Sequence, residues 1–350
     1  MLFYILGFYV HRGDVMKRLL VTGATGQIGT ELVPKLRQLY GVNNVIACGL
    51  SHKPAGLLAD GPFEMLDVRD KKAIEALVDK YQIDSIFHLA AILSALGEQK
   101  PQLAFEVNLL GTYNILEIGR DHKLERLIIP SSMAAFGPDT PKENTPNDTI
   151  QRPTSMYGVT KVAGEQLGNY YFAKFGVDVR GVRFPGILSA EVEPTAGTTD
   201  YSTAVFYSGI RTGAYECFLR ADTKLPMMYM PDAIKALIDL ANAPLSKLKH
   251  HADYNVAAMS FTPAELFVEI QKYIPNLKIT YKPDYHQPIA DSWPRSLDDS
   301  CARAEWGWKP DYDLHTMVKD LYEKLYPKLT GKPVQNPLRT PSASKKPAKK

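Results

Sequence analysis

A glycine-rich turn that follows a short apolar run constrains the fold of this chain more than any other feature. Residues 18–22 have the composition of a buried strand, and residues 22–29, with the sequence TGATGQIG, then open a helix that extends to about residue 40. Glycines in such a turn permit a tight bend, a close approach to a pyrophosphate and close packing of the helix on the strand. The helix N-terminus adds amide donors and a positive dipole. The position of this turn therefore favours a nucleotide site over a plain structural turn.

Apolar runs alternate with amphipathic helices along the first half of the chain. Further strands are predicted at residues 44–49, 63–66, 85–90, 126–130 and 178–184, with helices at residues 71–80, 103–122 and 157–175. This alternation predicts right-handed βαβ units and a parallel sheet. The expected fold is therefore α/β, with a Rossmann-like doubly wound parallel sheet.

The alternation ends beyond Pro185, where long loops rich in Gly, Pro and Thr separate the remaining elements. Helices are predicted near residues 231–243, 263–273 and 315–329, and strands near residues 253–257 and 278–282. Because open α/β sheets bind ligands at the carboxyl ends of their strands, we expect a smaller C-terminal substrate-binding lobe over that edge. The predicted units are an N-terminal extension at 1–16, a dinucleotide-binding domain at 17–184, mainly the substrate-binding lobe at 185–329, and a basic, disordered tail at 330–350.

The charge and cysteine content exclude several classes of function. Four lysines lie in the last ten residues, and removing them from the 41 lysines and arginines leaves 37, against 38 acidic residues. A basic surface for nucleic acid is therefore not indicated. The three cysteines, Cys48, Cys217 and Cys301, form no CxxC pair, so neither a metal site nor a disulfide framework is predicted, and a reducing compartment is expected.

The apolar N-terminal segment is ambiguous. Residues 1–10 are far shorter than the ~20 residues that span a bilayer, so stable membrane insertion is not predicted. The segment also lacks the positive region and cleavage site of a secretory signal. Arg12, Lys17 and Arg18 follow with one acid, Asp14, which permits a mitochondrial presequence, whereas a natural start at Met16 would make the segment non-functional. We predict a mitochondrial location, with a cytoplasmic location as the alternative.

Tyr157 and Lys161 give the chain its chemistry. A separation of four residues places both side chains on one face of a helix, one turn apart. A phenol with an ordinary pKa of ~10 can accept a proton nearer neutrality when a fixed ammonium favours the phenolate. Ser132 follows the fifth predicted strand and can orient a substrate oxygen toward that phenolate. Together with the nucleotide turn, these residues predict an oxidoreductase.

The residue that commonly selects NAD is missing at the end of the second strand. A carboxylate there would accept hydrogen bonds from the adenosine ribose, but the chain has Gly49, Leu50 and Ser51. Ser51 or the backbone of these residues can substitute weakly. His52 and Lys53 instead offer either a contact to a 2′-phosphate or a solvated surface. NAD is the predicted cofactor, with NADP as the alternative.

Two polar residues at later strand ends have open roles. Asp67 suits a contact to the adenine amino group, although aspartate after a strand is often a turn or cap residue. His88 begins the run His88–Ala91, whose small residues let the backbone approach a cofactor. The histidine itself is expected to be a packing residue.

These motifs together resemble the extended short-chain dehydrogenase/reductase superfamily, over residues 17–329. The resemblance rests on the glycine turn and on His88–Ala91, Asn108, Ser132, Tyr157, Lys161 and Arg183–Gly186. It implies that Ser132, Tyr157 and Lys161 are catalytic. It also implies that the residues binding the cofactor are Gly23, Thr25, Gly26, Gln27, Ile28, Gly29, Gly49, Leu50, Ser51, Asp67, Val68, Leu89, Ala90, Ala91, Asn108, Tyr157, Lys161, Pro185 and Ile187.

A more particular resemblance is to the short-chain, zinc-independent L-threonine 3-dehydrogenases. It is carried by residues 184–189 (FPGILS), 197–201 (GTTDY), 213–219 (GAYECFL), 225–232 (LPMMYMPD) and 291–294 (DSWP). It implies oxidation of L-threonine to 2-amino-3-oxobutanoate, with hydride transfer to NAD and without a metal. Asp200 either receives the substrate ammonium or caps a turn. The expected substrate contacts are Ser94, Ser131, Ser132, Tyr157, Thr198, Thr199 and Trp293.

Other functions remain open at this point. An NDP-sugar epimerase or dehydratase would use the same serine, tyrosine and lysine, whereas a non-catalytic nucleotide-binding scaffold would need neither Tyr157 nor Lys161. The superfamily also implies a homodimer through the helices at 103–122 and 157–175. Apolar residues of the first helix permit this, but they could pack on the sheet instead; they are Leu109, Leu110, Ile115 and Leu116.

Overall fold

A computed structural model describes residues 16–50, 59–194 and 197–334 of the chain. The strands are β1 Leu19–Thr22, β2 Val45–Gly49, β3 Phe63–Met65, β4 Ser85–His88, β5 Arg126–Ile128, β6 Ser131–Ser132, β7 Val179–Arg180, β8 Val182–Phe184, β9 Gly186–Leu188, β10 Ala214–Cys217, β11 Leu225–Tyr229, β12 Tyr254–Asn255, β13 Met259–Phe261 and β14 Lys278–Tyr281. The α-helices are α1 Gln27–Tyr40, α2 Lys71–Tyr81, α3 Ser94–Gln99, α4 Pro101–Ala104, α5 Gly111–Asp121, α6 Met156–Phe175, α7 Tyr201–Thr212, α8 Met230–Asn242, α9 Pro263–Gln271, α10 His286–Ser292, α11 Ser300–Trp306 and α12 Leu314–Thr330. Phe105–Leu110 is a π-helix, and three short 3₁₀ turns lie at Val42–Asn44, Met133–Ala135 and Leu245–Lys247.

The centre of the molecule is a six-stranded sheet in the order β3-β2-β1-β4-β5-β7. All five strand pairs in it are parallel. Every residue of β1, β2 and β4 is buried, as expected for strands covered on both faces. The predicted α/β class with a Rossmann-like parallel sheet is confirmed.

Two helical layers cover the sheet. On one face, α1 and α8 pack on alternate residues of the strands, with Leu36 and Leu237 fully buried among Leu19, Val21 and neighbouring side chains. On the other face, the intervening strand residues pack against α2, α5 and α6. The helix α8 belongs to the second half of the chain but completes the first layer, so residues after 185 serve both the sheet and the lobe.

A smaller lobe lies beyond the sheet and has its own apolar core. Its helices α7, α9 and α12 pack on one another and on β11. The strands form short sheets in the orders β13-β11-β9 and β10-β14, and a third short sheet, β12-β8-β6, joins the lobe to the segment after β5. Met133 and Tyr157 touch this core, so the lobe reaches the residues that carry the predicted chemistry.

The predicted sixth strand at 178–184 is wrong as one element, because it divides at Gly181. The first part, β7, pairs with β5 in the central sheet, whereas the second, β8, pairs with β6 and β12. Gly181 donates its amide to the His251 carbonyl at 2.8 Å, and a Cβ there would lie 2.5 Å from the Ile129 carbonyl oxygen. Glycine therefore permits the chain to change sheets at this point.

The predicted helix at 103–122 is present, but a π-helical turn at Phe105–Leu110 lies between α4 and α5, so the helical geometry changes along its length. The apolar residues of this helix differ in their exposure. Ile115 and Leu116 are fully buried against the sheet, whereas Leu110 is 43% exposed. The sequence pattern also missed α3, α7, β10 and β11, which are too short or too evenly apolar to show a clear period.

The chain ends contribute differently to the core. Met16, which the predicted boundary assigned to the N-terminal extension, is 1% exposed and packs under β1. Val334 packs against the core of the lobe. Residues 1–15 and 335–350, which make up most of the predicted extension and tail, lie outside the described residues. Within the described part of the chain, no helix is long and apolar enough to cross a bilayer.

Candidate active site

A cleft of about 170 Å³ opens at the carboxyl ends of the central strands, between the sheet and the lobe. This is the edge at which open α/β sheets bind ligands. Fourteen of the predicted site residues line it: Gln27, Ile28, Leu89, Ala91, Ser94, Ser131, Ser132, Tyr157, Lys161, Pro185, Ile187, Thr198, Thr199 and Trp293. The cleft thus brings together residues that are up to 266 positions apart in the sequence.

Helix α6 presents Tyr157 and Lys161 to this cleft. Its first turn is capped by the Ser155 hydroxyl, which accepts the Gly158 amide at 3.1 Å. Gly158 lets the helix approach the segment after Ser132, because a Cβ there would lie 2.2 Å from the Ala134 carbonyl oxygen. This close approach places the Tyr157 hydroxyl in hydrogen-bond contact with Ser132.

Lys161 contacts the sheet and not the phenol oxygen. Its Nζ donates to the Pro130 carbonyl at 2.8 Å and lies 5.5 Å from the centroid of the Tyr157 ring. Burial lowers the pKa of Lys161 to about 8, while the charge of Glu165 acts in the opposite direction. The hydrogen bond to the Pro130 carbonyl therefore fixes the position of the Lys161 ammonium, on the same face of α6 as Tyr157.

The expectation that Lys161 lowers the pKa of Tyr157 is wrong for this structure. Burial raises the pKa of Tyr157 to about 12, and only the hydrogen bond with Ser132 opposes that rise. Desolvation disfavours the charged phenolate, and the Lys161 ammonium is turned to Pro130. Tyr157 is therefore a protonated phenol at neutral pH in this arrangement.

His88 is a buried, neutral side chain at the end of β4. Its Nδ1 lies 2.8 Å from the Thr22 hydroxyl, and burial lowers its pKa to about 3. This agrees with the expected packing role. Its Nε2, however, has no hydrogen-bond partner within the described residues, and the ring lines the cleft. A buried nitrogen without a partner is costly, which favours a polar ligand beside it.

The glycine turn has the shape required for a pyrophosphate. Gly23 has a φ of +64°, and a Cβ on it would lie 2.6 Å from the Ala90 amide nitrogen. A Cβ on Gly29 would lie 2.5 Å from the Gly23 carbonyl oxygen. Gly26 is the N-cap residue of α1 and has no side chain to accept a hydrogen bond, so the first amides of this helix have no side-chain cap. The turn, the open helix end and the unpartnered His88 nitrogen together fit a dinucleotide.

The nicotinamide end of the predicted cofactor site is formed by Pro185–Ile187 and by β4. Ile187 accepts a hydrogen bond from the Gln27 amide at 3.4 Å, which ties the turn to the start of the lobe. Asn108 lies outside the cleft, in the π-helical turn. Its side chain binds the backbone of Ile92 through bonds of 2.7 and 3.0 Å and reaches Thr160 at 3.3 Å. It therefore braces α6 against the segment after β4.

The adenosine end of the predicted site is more open. Gly49 ends β2 beside Thr25, and Leu50 is 63% exposed. Asp67 is held by Arg69, whose guanidinium contacts both carboxylate oxygens at 2.6–3.0 Å and lowers the pKa of the carboxyl. Val68 is buried behind it. Ser51, His52 and Lys53 lie outside the described residues, so their predicted roles stay predictions.

The candidate substrate residues line the same cleft as Tyr157. Ser94 begins α3, while Thr198 and Thr199 precede α7 and Trp293 follows α10. Thr198 is 1% exposed, and its hydroxyl has no hydrogen-bond partner within the described residues, so it is a free donor at the cleft wall. Asp200 accepts the Gly197 amide at 3.1 Å and also lines the cleft. It forms the turn that was one of its two expected roles.

A buried ion pair behind the cleft was missed by sequence reasoning. Glu165 and Arg183 are each 2% exposed, and the guanidinium binds both carboxylate oxygens at 3.0 and 2.8 Å. Ser131, predicted to contact the substrate, instead donates its hydroxyl to Glu165. The only available signal was the position of Glu165 one helical turn after Lys161.

One group of possible metal ligands occurs in the described part of the chain: His250, Cys301 and Glu305, with ligand atoms within 4.8 Å of one another. None of the three lines the cleft. The Glu305 carboxylate accepts the Tyr254 hydroxyl at 2.6 Å and pairs with the His250 ring at 2.8 Å. The cluster is therefore held by its own hydrogen bonds, away from the predicted chemistry.

Comparisons with known proteins agree with this geometry. The chain matches the family described as NAD dependent epimerase/dehydratase over residues 19–257. It is 51% identical over 312 residues to an uncharacterised epimerase/dehydratase of Staphylococcus saprophyticus, covering 89% of this chain and 97% of that protein. A solved L-threonine dehydrogenase from Clostridium difficile is 49% identical with a TM-score of 0.88, covering 90% of this chain and 99% of that one. A monomeric L-threonine 3-dehydrogenase from a metagenome is 43% identical with a TM-score of 0.86, covering 89% and 99%.

The same comparisons bear on the predicted mitochondrial location. The segment that motivated it, residues 1–15, lies outside the described residues. The Staphylococcus relative comes from a bacterium, which has no mitochondria. The similarities therefore give no support to a mitochondrial location.

Proposed function

Because the chain belongs to the NAD dependent epimerase/dehydratase family, we propose that it oxidises L-threonine to 2-amino-3-oxobutanoate with NAD. The observation that carries the proposal is the convergence of Ser132, Tyr157 and Lys161 in one cleft beside a glycine turn that fits a dinucleotide. Solved structures of L-threonine dehydrogenases at 49% and 43% identity support this choice of substrate.

The roles of the residues follow from their positions. Ser132 orients the secondary hydroxyl of the substrate, and Tyr157, once it has lost its own proton, receives the proton of that hydroxyl as the phenolate. The hydrogen on Cβ leaves with its electron pair, and the C–O bond becomes a carbonyl. A bound NAD would be the two-electron acceptor for that hydride. Lys161, on the same face of α6, holds a positive charge near the ring and is placed to bind ribose hydroxyls.

The raised pKa of Tyr157 sets a condition on this chemistry. With a pKa of about 12 the phenol is protonated at neutral pH, so ionisation must be favoured by further positive charge or be concerted with proton transfer. Activity is therefore expected to rise with pH through the neutral range, because the phenolate fraction rises about tenfold for each pH unit.

The wall of the cleft suits a small amino acid. The Thr198 hydroxyl and Ser94 are available to a carboxylate, and Trp293, only 6% exposed, lines the same cleft. The Asp200 carboxylate lines the same wall and can attract an ammonium while it accepts the Gly197 amide.

The proposal is tested by measuring NADH absorbance with purified protein and a panel of L-threonine, D-threonine, L-serine and UDP-sugars. We expect NADH to accumulate with L-threonine and not with D-threonine. An NDP-sugar epimerase, the main alternative, would instead convert a UDP-sugar without releasing NADH. A non-catalytic scaffold would bind NADH but turn over none of these compounds. The parallel assay with NADP decides the cofactor.

We also propose that the chain forms a homodimer through α5 and α6. Leu110, Tyr113, Val159 and Tyr170 are 42–53% exposed, and residues 159 and 170 lie on one face of α6 because eleven residues make about three turns. The metagenomic relative is described as monomeric, so the assembly needs its own test. Light scattering is expected to give a dimer, and Tyr170→Glu a monomer; a monomeric wild-type protein would contradict the proposal.

A further inference from the structure

Glu165 lies directly behind the proposed catalytic residues. It follows Lys161 by one turn of α6, is 2% exposed, and lines a small polar cavity that Lys161 also lines. Its Oε1 accepts the Ser131 hydroxyl and the Arg183 Nε at 3.0 Å. Its Oε2 accepts Arg183 Nη2 at 2.8 Å and Gln151 Nε2 at 2.6 Å. Both carboxylate oxygens are therefore fully engaged.

These partners belong to the strands that carry the site. Ser131 precedes Ser132 in β6, and Ser131 pairs with Arg183 of β8 in a parallel ladder. Arg183 is followed closely by Pro185, which lines the cleft. Glu165 therefore joins three segments at one point: the strand with the serine, the strand that leads to the cofactor-facing turn, and the helix with the tyrosine and lysine.

We propose that Glu165 is a positioning residue of the reaction, which locks the strand carrying Ser132 to the helix carrying Tyr157 and Lys161 and keeps Lys161 charged. The inference rests on the proposed function, because it assigns a role within the same site. Glu165 does not touch the cleft, so it acts through Ser131 and Lys161 and not on the substrate.

The balance of buried charge supports the second part of this role. Lys161 faces Tyr157 and Glu165 on its own helix and neutral His88 on β4, and it shares a small polar cavity with Glu165. Burial lowers the pKa of Lys161 and Glu165 raises it. Without the Glu165 charge, the one carboxylate that raises the pKa of Lys161 would be lost, and burial would lower that pKa further.

The opposing possibility is an ion pair with a purely structural role. Arg183 also donates to the Asn147 carbonyl at 2.7 Å and to Asn255 at 3.3 Å, so it joins several loops whatever happens in the cleft. A buried ion pair is weak evidence for function, and removing one partner is often strongly destabilising. The test must therefore use a quantity that a loss of stability alone does not change.

The pH dependence of NADH affinity, followed by fluorescence, is such a quantity and needs no threonine. In the wild type we expect affinity to weaken as Lys161 loses its proton near pH 8. Glu165→Gln keeps the shape of the side chain and removes its charge, so the midpoint should fall by about one pH unit, and kcat at pH 7 should fall roughly tenfold or more. Glu165→Asp keeps the negative charge, so its midpoint should lie close to that of the wild type.

Two control variants separate the components of this role. Ser131→Ala removes one hydroxyl without a change of charge, so kcat should fall while the midpoint stays. Glu117→Gln removes a carboxylate of α5 that pairs with Arg120 and accepts the Tyr171 hydroxyl, away from the cleft, and should change neither quantity. If Glu165→Gln folds and keeps the wild-type midpoint, the proposal is overturned.

A failure of the proposed function can be distinguished from a failure of the role proposed for Glu165. If the wild type binds NADH but does not oxidise L-threonine, the proposed function fails while the midpoint comparison still tests Glu165. If Glu165→Gln does not fold, the comparison is made with Glu165→Asp, whose shorter side chain keeps the charge but weakens the bond to Ser131. A kcat equal to that of the wild type in this variant would also overturn the proposal.

Discussion

The two ends of the proposed cofactor site are built in different ways. At the nicotinamide end, each proposed catalytic side chain has a partner in the cleft wall: Ser132 for Tyr157, and the buried Pro130 carbonyl for Lys161. At the adenosine end, Leu50 is 63% exposed and Asp67 is tied to the exposed Arg69. The difference teaches that the proposed chemistry would depend on side chains held by the interior of the fold, whereas the choice between NAD and NADP would depend on more exposed residues.

The largest effect is expected from Tyr157→Phe at the nicotinamide end. Loss of the hydroxyl removes the proton acceptor, so kcat should fall by roughly 10³-fold. NADH affinity should change little, because the ring and its packing remain. Steady-state kinetics and NADH fluorescence measure the two quantities. Tyr170→Phe on the exposed side of the same helix is the matched control and should behave as the wild type. Normal threonine oxidation by Tyr157→Phe would refute the assigned base.

Lys161→Met should separate activity from stability at the same end. Burial lowers the pKa of Lys161 to about 8. Keeping the lysine protonated at pH 7 therefore costs more free energy in the folded protein than in the unfolded chain, which destabilises the fold. The full pKa shift of Lys161 corresponds to roughly 3 kcal/mol of lost stability, and solvent in the open cleft reduces this value. The free energy of unfolding of Lys161→Met should therefore exceed that of the wild type by about 1–2 kcal/mol. Its kcat should fall roughly 10²-fold.

The sign of that effect can be checked by pH. The destabilisation of the wild type by the buried Lys161 charge is present at pH 7. It disappears as the pH rises from about 8 to the pKa of an ordinary lysine, because Lys161 then loses its proton in the folded protein as well as in the unfolded chain. The difference in stability between the wild type and Lys161→Met should therefore be smaller at pH 10. Urea unfolding at both pH values measures it. Lys174→Met, at an exposed position of α6, should show no such trend. A variant that is less stable than the wild type at pH 7 would contradict the account.

At the adenosine end, Leu50→Asp should change cofactor preference and little else. A carboxylate at the end of β2 can accept ribose hydroxyls and repels a 2′-phosphate, so the ratio of kcat/KM for NAD over NADP should rise about tenfold. Leu50→Asn has the same shape without the charge and should give a smaller change. An unchanged ratio in Leu50→Asp would mean that β2 does not face the adenosine ribose.

The smallest effect is expected from Arg69→Ala. Arg69 occupies both oxygens of Asp67, and its removal would free the carboxylate for an adenine amino group. Exposed ion pairs contribute little, so KM for NAD should fall by no more than about threefold, with kcat unchanged. The initial-rate dependence on NAD measures this. A rise in KM would show that Arg69 itself contacts the cofactor.

Sequence reasoning located the parts of this molecule that depend on local spacing. The glycine turn needs three glycines within one bend, and the four-residue spacing of Tyr157 and Lys161 fixes their common face. Contacts between distant segments leave no such signal. The break at Gly181 depends on the carbonyls of Ile129 and Ala252, and the pairing of Glu165 with Arg183 depends on the register of β6 and β8.

The electrostatics of the site were the least predictable part. A tyrosine and a lysine in sequence register suggested a lowered phenol pKa, but burial raises it to about 12. The outcome depends on how deeply α6 packs and on where the ammonium finds an acceptor, and the Pro130 carbonyl provides that acceptor. Neither is visible in a four-residue spacing.

The most direct test of the central claim is the fate of the hydrogen on Cβ of the substrate. L-threonine labelled with deuterium at C3 is incubated with the purified protein and NAD, and the reduced cofactor is analysed by mass spectrometry and NMR. The account predicts one deuterium at C4 of the nicotinamide ring, together with a carbonyl at C3 of the product. Deuterium released to the solvent, or no labelled cofactor while the protein binds NAD, would contradict it.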